Sequence, residues 1–173
     1  MMQYRIRPII EDDVFFLWEM LYESLFVPEG QEPFDKAIIK DPYISKYIEG
    51  WGRDGDFGFI AMNHEGEPVG SITVRYFNED NKGFGFINND VPELGMALLK
   101  EYRGKKIGMA LMDELFKEAR KRNIKKLSLS VDPSNAAAMK LYNAAAMKLY
   151  ERFGFKEVGK VDSSITMVVD LRS

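Results

Sequence analysis

A chain of 173 residues is long enough to bury a core, and 46% hydrophobic and 29% charged residues are ordinary proportions for a globular protein. The net charge of −3 gives no electrostatic reason to expect a nucleic-acid binder, no apolar run approaches the ~20 residues of a membrane span, and the first residues lack a signal-peptide core. The lack of cysteine excludes disulfides and thiolate metal sites, and we expect one cytoplasmic domain over residues 1–173.

Hydrophobic periodicity divides the first half of the chain into strands and helices. Apolar residues recur at helical spacing from Val14 to Leu25, and Asp12 or Asp13 precedes them as a potential helix cap. Residues Asn63–Glu67 are turn formers between two strand-like segments, which predicts a hairpin. The predicted elements are a strand at 4–8, this first helix, a second helical region over 33–52 that is whole or broken in two, and strands at 57–62, 69–77 and 84–87.

The second half predicts further strands alternating with helices. The strand-like residues Glu93–Leu99 lead through a basic loop into an amphipathic helix over Ile107–Arg122, which Asn123 is placed to stop. The remaining predicted elements are a strand at 126–132, a helical segment, and strands at 156–161 and 165–171 that form a terminal hairpin.

The stretch from Glu93 to Gly108 combines a strand, a short basic loop with two glycines and the start of a helix. The unpaired N–H groups of a helix start converge on an anion, so this arrangement is typical of a phosphate site. Taken alone, the same pattern also fits a plain strand-to-helix turn without a ligand.

The octapeptide of residues 135–142 is repeated without change at residues 143–150. Identity at every position indicates a recent or engineered duplication rather than shared helical periodicity. If both copies form one helix, the extra eight residues carry the terminal hairpin ~12 Å from its usual place. The hairpin could then pair with another protomer, which predicts a homodimer by exchange of residues 156–171. Alternatively, one copy loops out and the monomer keeps its usual fold.

Segments 94–110, 130–135 and 149–155 together resemble the GNAT superfamily of acetyl-CoA-dependent N-acetyltransferases. The specific signal lies within residues 93–155, and the order of strands agrees over nearly the whole chain. The resemblance implies an α/β GNAT fold. In that fold a central, mixed, mostly antiparallel twisted sheet is flanked by helices, and two cofactor-binding strands splay apart.

The resemblance also implies acetyl-CoA as co-substrate and no metal. The family's loop reads Arg or Gln, two residues, Gly, one residue, then Gly or Ala. Arg103, Lys106 and Gly108 occupy these positions, so Lys106 replaces the first glycine. Glycine adopts a positive φ freely, whereas lysine does so at a cost but brings charge to a pyrophosphate. The residues that the resemblance assigns to the cofactor are Met96, Ala97, Leu98, Arg103, Gly104, Lys105, Lys106, Ile107, Gly108, Met109 and Asn135.

The implied chemistry is direct attack of a primary amine, which needs a base for the amine and a proton donor for the departing thiolate. Glu93 is the candidate base, acting through water; alternatively it is a solvated carboxylate at a strand edge. The family's donor is the tyrosine of the Leu-Tyr-Glu-Arg motif, and the duplication makes it ambiguous. Tyr142 keeps the family spacing from Asn135, whereas Tyr150 keeps the spacing to Gly154. We favour Tyr142, because the strand before it helps to form the cofactor cleft.

The acceptor could be a polyamine, an antibiotic, an amino acid or a protein N-terminus. The single histidine, His64, lies in a turn and argues against a histidine-based metal site or triad. Side chains that could line the acceptor site are Tyr22, Phe26, Trp51 and Arg75, with Glu29, Glu32 and Asp35 as acidic attraction for a cation. Two other interpretations stay open, an acyl-CoA-binding module with little turnover and an engineered scaffold in which the duplication probes helix structure.

Overall fold

The computed structural model describes residues 4–25, 32–131, 147–161 and 164–172. In these residues seven strands form one sheet in the order β1-β2-β3-β4-β5-β7-β6. Every neighbouring pair is antiparallel except β4 and β5, which are parallel. The strands are β1 Arg5–Pro8, β2 Phe57–Met62, β3 Pro68–Arg75, β4 Glu93–Leu98, β5 Lys126–Val131, β6 Lys156–Val161 and β7 Ser164–Asp170.

Helices cover both faces of the sheet. On one face α3 packs over β1, β2 and β3, and the larger core lies there. On the other face α1 packs over β3 and β4 around a smaller core of Leu17, Ile48 and Ile60. The helices are α1 Val14–Glu23, α2 Pro42–Ser45, α3 Ile107–Lys121 and α4 at residues 147–152, with short 3-10 turns at Glu11–Asp13, Lys36–Lys40 and Lys100–Tyr102.

Strand β2 shows why the sequence forms a two-sided sheet. Its side chains alternate between the faces, so Phe59 and Ala61 enter the larger core and Ile60 enters the smaller one. A strand buried on both faces reads as a nearly continuous apolar run, as Phe57–Met62 does. The α/β GNAT fold expected from the resemblance, a mixed and mostly antiparallel sheet between helices, is therefore confirmed.

Strands β4 and β5 pair only where they begin. Glu93 is opposite Ser128, and the Ser128 N–H donates to Pro92 O at 3.0 Å. Beyond this point no further register pair joins the two described strands, so they diverge. This is the splayed strand pair that the family resemblance implied, and it opens the sheet at its centre.

The helix stop predicted at Asn123 is confirmed. Asn123 adopts the left-handed conformation with φ 61°, and the Ile124 N–H returns to Ala119 O at 3.0 Å. Of the two alternatives for the second helical region, whole or broken in two, the structure shows the break, since the 3-10 turn at Lys36–Lys40 and α2 are separate.

Two local predictions were wrong. Residues 84–87 form no strand, because Phe84 and Gly85 lie in a tight turn that packs against Glu93 of β4 and Leu129 of β5. Asp13 occupies the N-cap of α1 but makes no side-chain cap bond. Its carboxylate instead accepts from Arg7 at 2.7 Å and from the Ile10 N–H at 2.8 Å, because a guanidinium within reach is a stronger partner than an amide.

The terminal hairpin of β6 and β7 is present, and β7 pairs with β5 of the same chain from Lys126↔Asp170 to Val131↔Ile165. Of the duplicated segment, residues 147–150 lie in α4 and residues 135–146 lie outside the described residues. The long continuous helix is therefore untested. Intrachain pairing does not test exchange between copies either, so the homodimer stays a prediction.

Candidate active site

The divergence of β4 and β5 opens a cleft of about 430 Å³. Gly95, Met96 and Ala97 of β4 line one side of it, and Ser130 and Val131 of β5 line the other. The first helical layer, from α1 through α2 to Ile48, closes its remaining wall. The cleft volume falls within the ~300–1,000 Å³ typical of small-molecule sites.

Glu93 lies on the cleft and is only 5% exposed. Its Oε2 accepts from the Tyr47 hydroxyl at 2.7 Å, and its Oε1 accepts from the Gly85 N–H at 3.0 Å. Burial raises the pKa of Glu93 from 4.5 to about 7, against the opposing effects of these two hydrogen bonds and of the charge on Lys46. The alternative of a solvated edge carboxylate is therefore wrong, since β4 is an interior strand and the turn at residues 83–85 covers its first residue.

The turn at residues 83–85 fits over Glu93 because it contains two glycines. A Cβ at Gly83 would lie 2.3 Å from Glu93 Oε1 and 2.9 Å from the Tyr47 hydroxyl. A Cβ at Gly85 would lie 2.8 Å from the Leu129 carbonyl carbon, which is backbone and cannot give way. Only glycine allows the turn to approach both the carboxylate and β5 this closely.

Tyr47 is a residue of this site that the sequence did not single out. Its hydroxyl accepts from the Phe84 N–H at 2.7 Å while it donates to Glu93, and its ring contacts Phe77 edge-on at 5.0 Å between centroids. Helical periodicity could place Tyr47 on a helical layer, but the contact with Glu93 spans 46 positions. No short-range pattern reports such a pair.

Arg75 does not line the cleft, contrary to the sequence-based suggestion. It is 2% exposed and its guanidinium forms an ion pair with Asp56 at 2.8 Å. It also donates to the carbonyls of Lys46 at 2.9 Å and Glu49 at 2.7 Å, and lies 5.3 Å from the ring of Trp51. A buried guanidinium requires such partners, and these tie the segment carrying Tyr47 to β3.

The other described residues that the sequence suggested for the acceptor site do not line the cleft either. The Tyr22 hydroxyl donates to the Phe34 carbonyl, and neither Tyr22 nor Trp51 lines the cleft. Asp35 is exposed and caps the 3-10 turn by accepting from the Ala37 N–H at 2.8 Å. Glu32 is exposed as well. Phe26 and Glu29 lie outside the described residues.

The loop before α3 adopts the strained geometry that the sequence predicted for it. Lys106 stands at the N-cap with φ 68° and ψ 8°, and Gly104 has φ 74°. The Ala110 N–H returns to Lys106 O at 3.3 Å, so the N–H groups of Ile107, Gly108 and Met109 have no acceptor within the helix. Lys105 and Lys106 are exposed beside them. This helix start therefore combines backbone donors, the positive end of the helix dipole and two ammonium groups.

Arg103 and β4 connect this loop to the cleft. Arg103 lines the cleft, donates to Leu98 O at 3.2 Å and lies 3.6 Å from the Glu23 carboxylate. Met96 and Ala97 line the cleft, whereas Leu98 is buried and does not. Because β5 diverges after Ser128, the β4 edge beyond it borders the cleft instead of a neighbouring strand.

Helix α4 brings Tyr150 to the same cleft as Glu93. Tyr150 is 9% exposed and its ring contacts Phe155 edge-on at 5.9 Å between centroids. Gly108 allows α4 to approach, since a Cβ there would lie 3.1 Å from Leu149 and 3.3 Å from Met96. Tyr142 and Asn135 lie outside the described residues, so the preference for Tyr142 stays a prediction.

No helix among the described residues is long and apolar enough to cross a membrane. Within the same ranges, no group of three or more acidic or histidine side chains is arranged to hold a metal ion.

Comparison with known proteins agrees with this geometry. Residues 15–155 match the acetyltransferase (GNAT) family. An uncharacterized N-acetyltransferase of Methanocaldococcus jannaschii is 26% identical over 168 residues; the match covers 95% of this chain, and the chain spans 66% of that relative's length.

Solved structures show the same fold. A GNAT-family acetyltransferase from Staphylococcus aureus matches with a TM-score of 0.68 at 20% identity, and the match covers 98% of this chain and 100% of the Staphylococcus chain. The ribosomal-protein-alanine N-acetyltransferase of Brucella melitensis matches with a TM-score of 0.64 at 23% identity, and the match covers 96% of this chain and 99% of the Brucella chain. With the splayed strands, the loop before α3 and a family match over most of its length, this chain belongs to the acetyltransferase (GNAT) family.

Proposed function

We propose that this protein transfers an acetyl group from acetyl-CoA to a primary amine by direct attack within a ternary complex. The observation that carries the proposal is the position of Glu93, a buried carboxylate with a pKa of about 7, on the cleft that the splayed strands open. A general base is most effective when its pKa lies near the working pH, and this one does.

The residues around the cleft fit acetyl-CoA. The free N–H groups at the start of α3, with Lys105 and Lys106, would hold the pyrophosphate. The edge of β4 at Met96 and Ala97 offers backbone groups to the amide-bearing pantetheine arm, as a neighbouring strand would. When bound, acetyl-CoA supplies the acetyl group as a thioester: a bond forms from the amine nitrogen to the acetyl carbon, the carbon–sulfur bond breaks, and coenzyme A leaves.

Glu93 would remove the proton that prevents the amine from attacking. An alkyl ammonium has a pKa near ~10, so nearly every acceptor molecule arrives protonated at neutral pH. The ionised Glu93 carboxylate would accept that proton, directly or through one water, and the hydroxyl of Tyr47 would stabilise the ionised form. Glu93 therefore has the role of base, and Tyr47 the role of a positioning residue.

A tyrosine on α4 would return a proton to the departing sulfur. Tyr150 lines the cleft that also contains Glu93, which supports Tyr150 as the donor. Tyr142 is the alternative donor, supported by its sequence spacing from Asn135 alone. A phenol has an ordinary pKa near ~10 and so holds its proton at neutral pH, ready to be donated.

The proposal is tested in two steps with the full chain. Isothermal titration with coenzyme A measures binding, and release of coenzyme A from acetyl-CoA in the presence of a panel of primary amines measures transfer. We expect saturable binding and amine-dependent release. Binding without release for any amine would favour the alternative of an acyl-CoA-binding module, and no binding at all would overturn the proposal.

A further inference from the structure

The helical wall of the cleft is mostly apolar. Leu21 of α1, Ile38 of the 3-10 turn and Ile44 of α2 line it, together with Phe34. Phe34 is 43% exposed, so a large aromatic side chain faces solvent inside a cleft. Each Å² of such apolar surface that a ligand removes from water contributes ~25 cal/mol to the free energy of binding.

Glu23, Ser24 and Tyr47, the polar side chains that the described residues contribute to this wall, already have partners within the protein. The Glu23 carboxylate lies 3.6 Å from Arg103, and the Ser24 hydroxyl donates to Leu21 O at 2.6 Å. The Tyr47 hydroxyl is engaged with Glu93 and with the Phe84 N–H. Among the described residues that line the cleft, Glu23 and Glu93 are the only carboxylates. Glu23 already pairs with the guanidinium of Arg103, and Glu93 has the proposed role of base for the reacting nitrogen.

We infer that the acceptor is a monoamine whose amino group is attached to an aliphatic or aromatic body. The inference rests on the proposed function and names its substrate class. Such a body gains free energy by covering the wall of Leu21, Phe34, Ile38 and Ile44. The described residues of the cleft offer a second ammonium, as in a polyamine, no carboxylate of its own, so its burial against them would be costly. A peptide would likewise bury amide groups that find no free partner among the described residues of this wall.

Three acceptors test the inference with acetyl-CoA and the wild-type chain: 2-phenylethylamine, spermidine and a short peptide with a free N-terminal alanine. We expect 2-phenylethylamine to have a kcat/KM at least about tenfold higher than either of the others, the ratio that ~1.4 kcal/mol of apolar contact provides. A preference for spermidine or for the peptide would overturn the inference and leave the proposed function intact.

A pair of matched variants tests the wall itself. Ile38→Glu places a carboxylate on the cleft, whereas Ile39→Glu makes the same change at the next residue, which is half-buried but does not line the cleft. We expect Ile38→Glu to raise KM for 2-phenylethylamine by about tenfold or more while KM for acetyl-CoA stays constant. Ile39→Glu should change neither the KM for 2-phenylethylamine nor the KM for acetyl-CoA. Equal effects of the two variants on KM for the amine would contradict the inference.

Folding and function are separated by two further measurements. Circular dichroism reports whether each variant folds, and Phe34→Glu, at a position that is 43% exposed, replaces Ile38→Glu if that variant unfolds. Coenzyme A binding is measured alongside. Binding of coenzyme A without transfer to 2-phenylethylamine, while another amine of the panel is acetylated, would overturn the inference alone; transfer to no amine of the panel would count against the proposed function itself.

Discussion

The Tyr47 hydroxyl donates to Glu93 Oε2 at 2.7 Å and accepts from the Phe84 N–H at the same distance. One phenol therefore joins the first helical layer, the turn at residues 83–85 and the first residue of β4. Burial and the neighbouring Glu93 carboxylate raise the pKa of Tyr47 well above its ordinary value, so it stays protonated and remains a donor. The properties of Glu93 thus depend on a residue 46 positions away in the chain.

Replacing Tyr47 with phenylalanine should raise the pKa of Glu93. The hydrogen bond from Tyr47 lowers this pKa, so its loss favours the protonated acid. We expect the acid limb of the kcat/KM–pH profile, near pH 7, to move upward by about one to two units, since a hydrogen bond to a charged group contributes ~1.5–3 kcal/mol. Tyr43→Phe is the control, because Tyr43 is 70% exposed. An unshifted profile in the Tyr47→Phe variant would show that this contact does not tune the base.

Replacing Glu93 with glutamine should remove both the base and a pH-dependent cost to stability. We expect kcat/KM to fall by ~10²–10⁴-fold and to lose its dependence on a group titrating near 7. The folded pKa of about 7 lies above the ordinary 4.5, so ionisation of Glu93 costs stability as pH rises from 4.5 to 7.

The free energy of unfolding, measured by urea denaturation across this range, should therefore fall in the wild type relative to Glu93→Gln and then level off above pH 7. Parallel curves for the two proteins would contradict the raised pKa.

Replacing Tyr150 with phenylalanine should lower kcat, because Tyr150 lines the cleft that contains Glu93 and the substitution removes its hydroxyl. The ring is retained, so its contact with Phe155 and the stability of the core should be little changed. Tyr142→Phe is made in parallel. Loss of kcat only in the Tyr142 variant would assign the proton donor to that residue, as its spacing predicted. Loss only in Tyr150→Phe would overturn that prediction.

Lys106 combines a strained backbone with a useful charge, and two substitutions separate them. Lys106→Gly relieves the left-handed φ of 68°, which costs roughly 1–2 kcal/mol for a residue with a Cβ. Lys106→Ala removes the charge and keeps most of the strain. We expect only the glycine variant to gain thermal stability. Both should bind coenzyme A more weakly and with a smaller salt dependence than the wild type, measured by titration calorimetry. Unchanged affinity in both would exclude a role of this ammonium at the pyrophosphate.

Replacing Arg75 with methionine should destabilise the fold strongly. The substitution removes the ion-pair partner of the Asp56 carboxylate, whose side chain is 2% exposed and among the described residues keeps only the N–H groups of Gly52 and Arg53, and it removes the donors to the Lys46 and Glu49 carbonyls. Breaking a buried pair from one side costs ~3–5 kcal/mol, measured by urea denaturation. The control is Lys117→Met, whose ion pair with Glu114 is largely exposed and should contribute little. Similar losses of unfolding free energy in both variants would show that Arg75 does not hold the first helical layer against β3.

Local patterns in the sequence were sufficient to predict most of the fold. The apolar run of β2, the helical stripe of α3 and the stop at Asn123 depend on neighbours within a few residues, so periodicity and capping predict them. The same holds for the loop before α3, where the cost of a lysine in a glycine position could be anticipated and Lys106 does adopt a positive φ.

The helical side of the cleft depended on contacts that no local pattern reports. Arg75 looks like a cleft residue in sequence, yet Asp56 and two carbonyls hold it in the interior. Residues 84–87 look like a strand, yet Gly83 and Gly85 allow them to turn tightly over Glu93.

The sequence by itself determined the family, the sheet and the positive φ of the loop before α3, because these follow from residue types at short spacing. Only the tertiary structure decided that Glu93 is a buried acid with a pKa near neutrality. Burial and long-range hydrogen bonds set that pKa, and both arise when Tyr47, the turn at residues 83–85 and β4 come together.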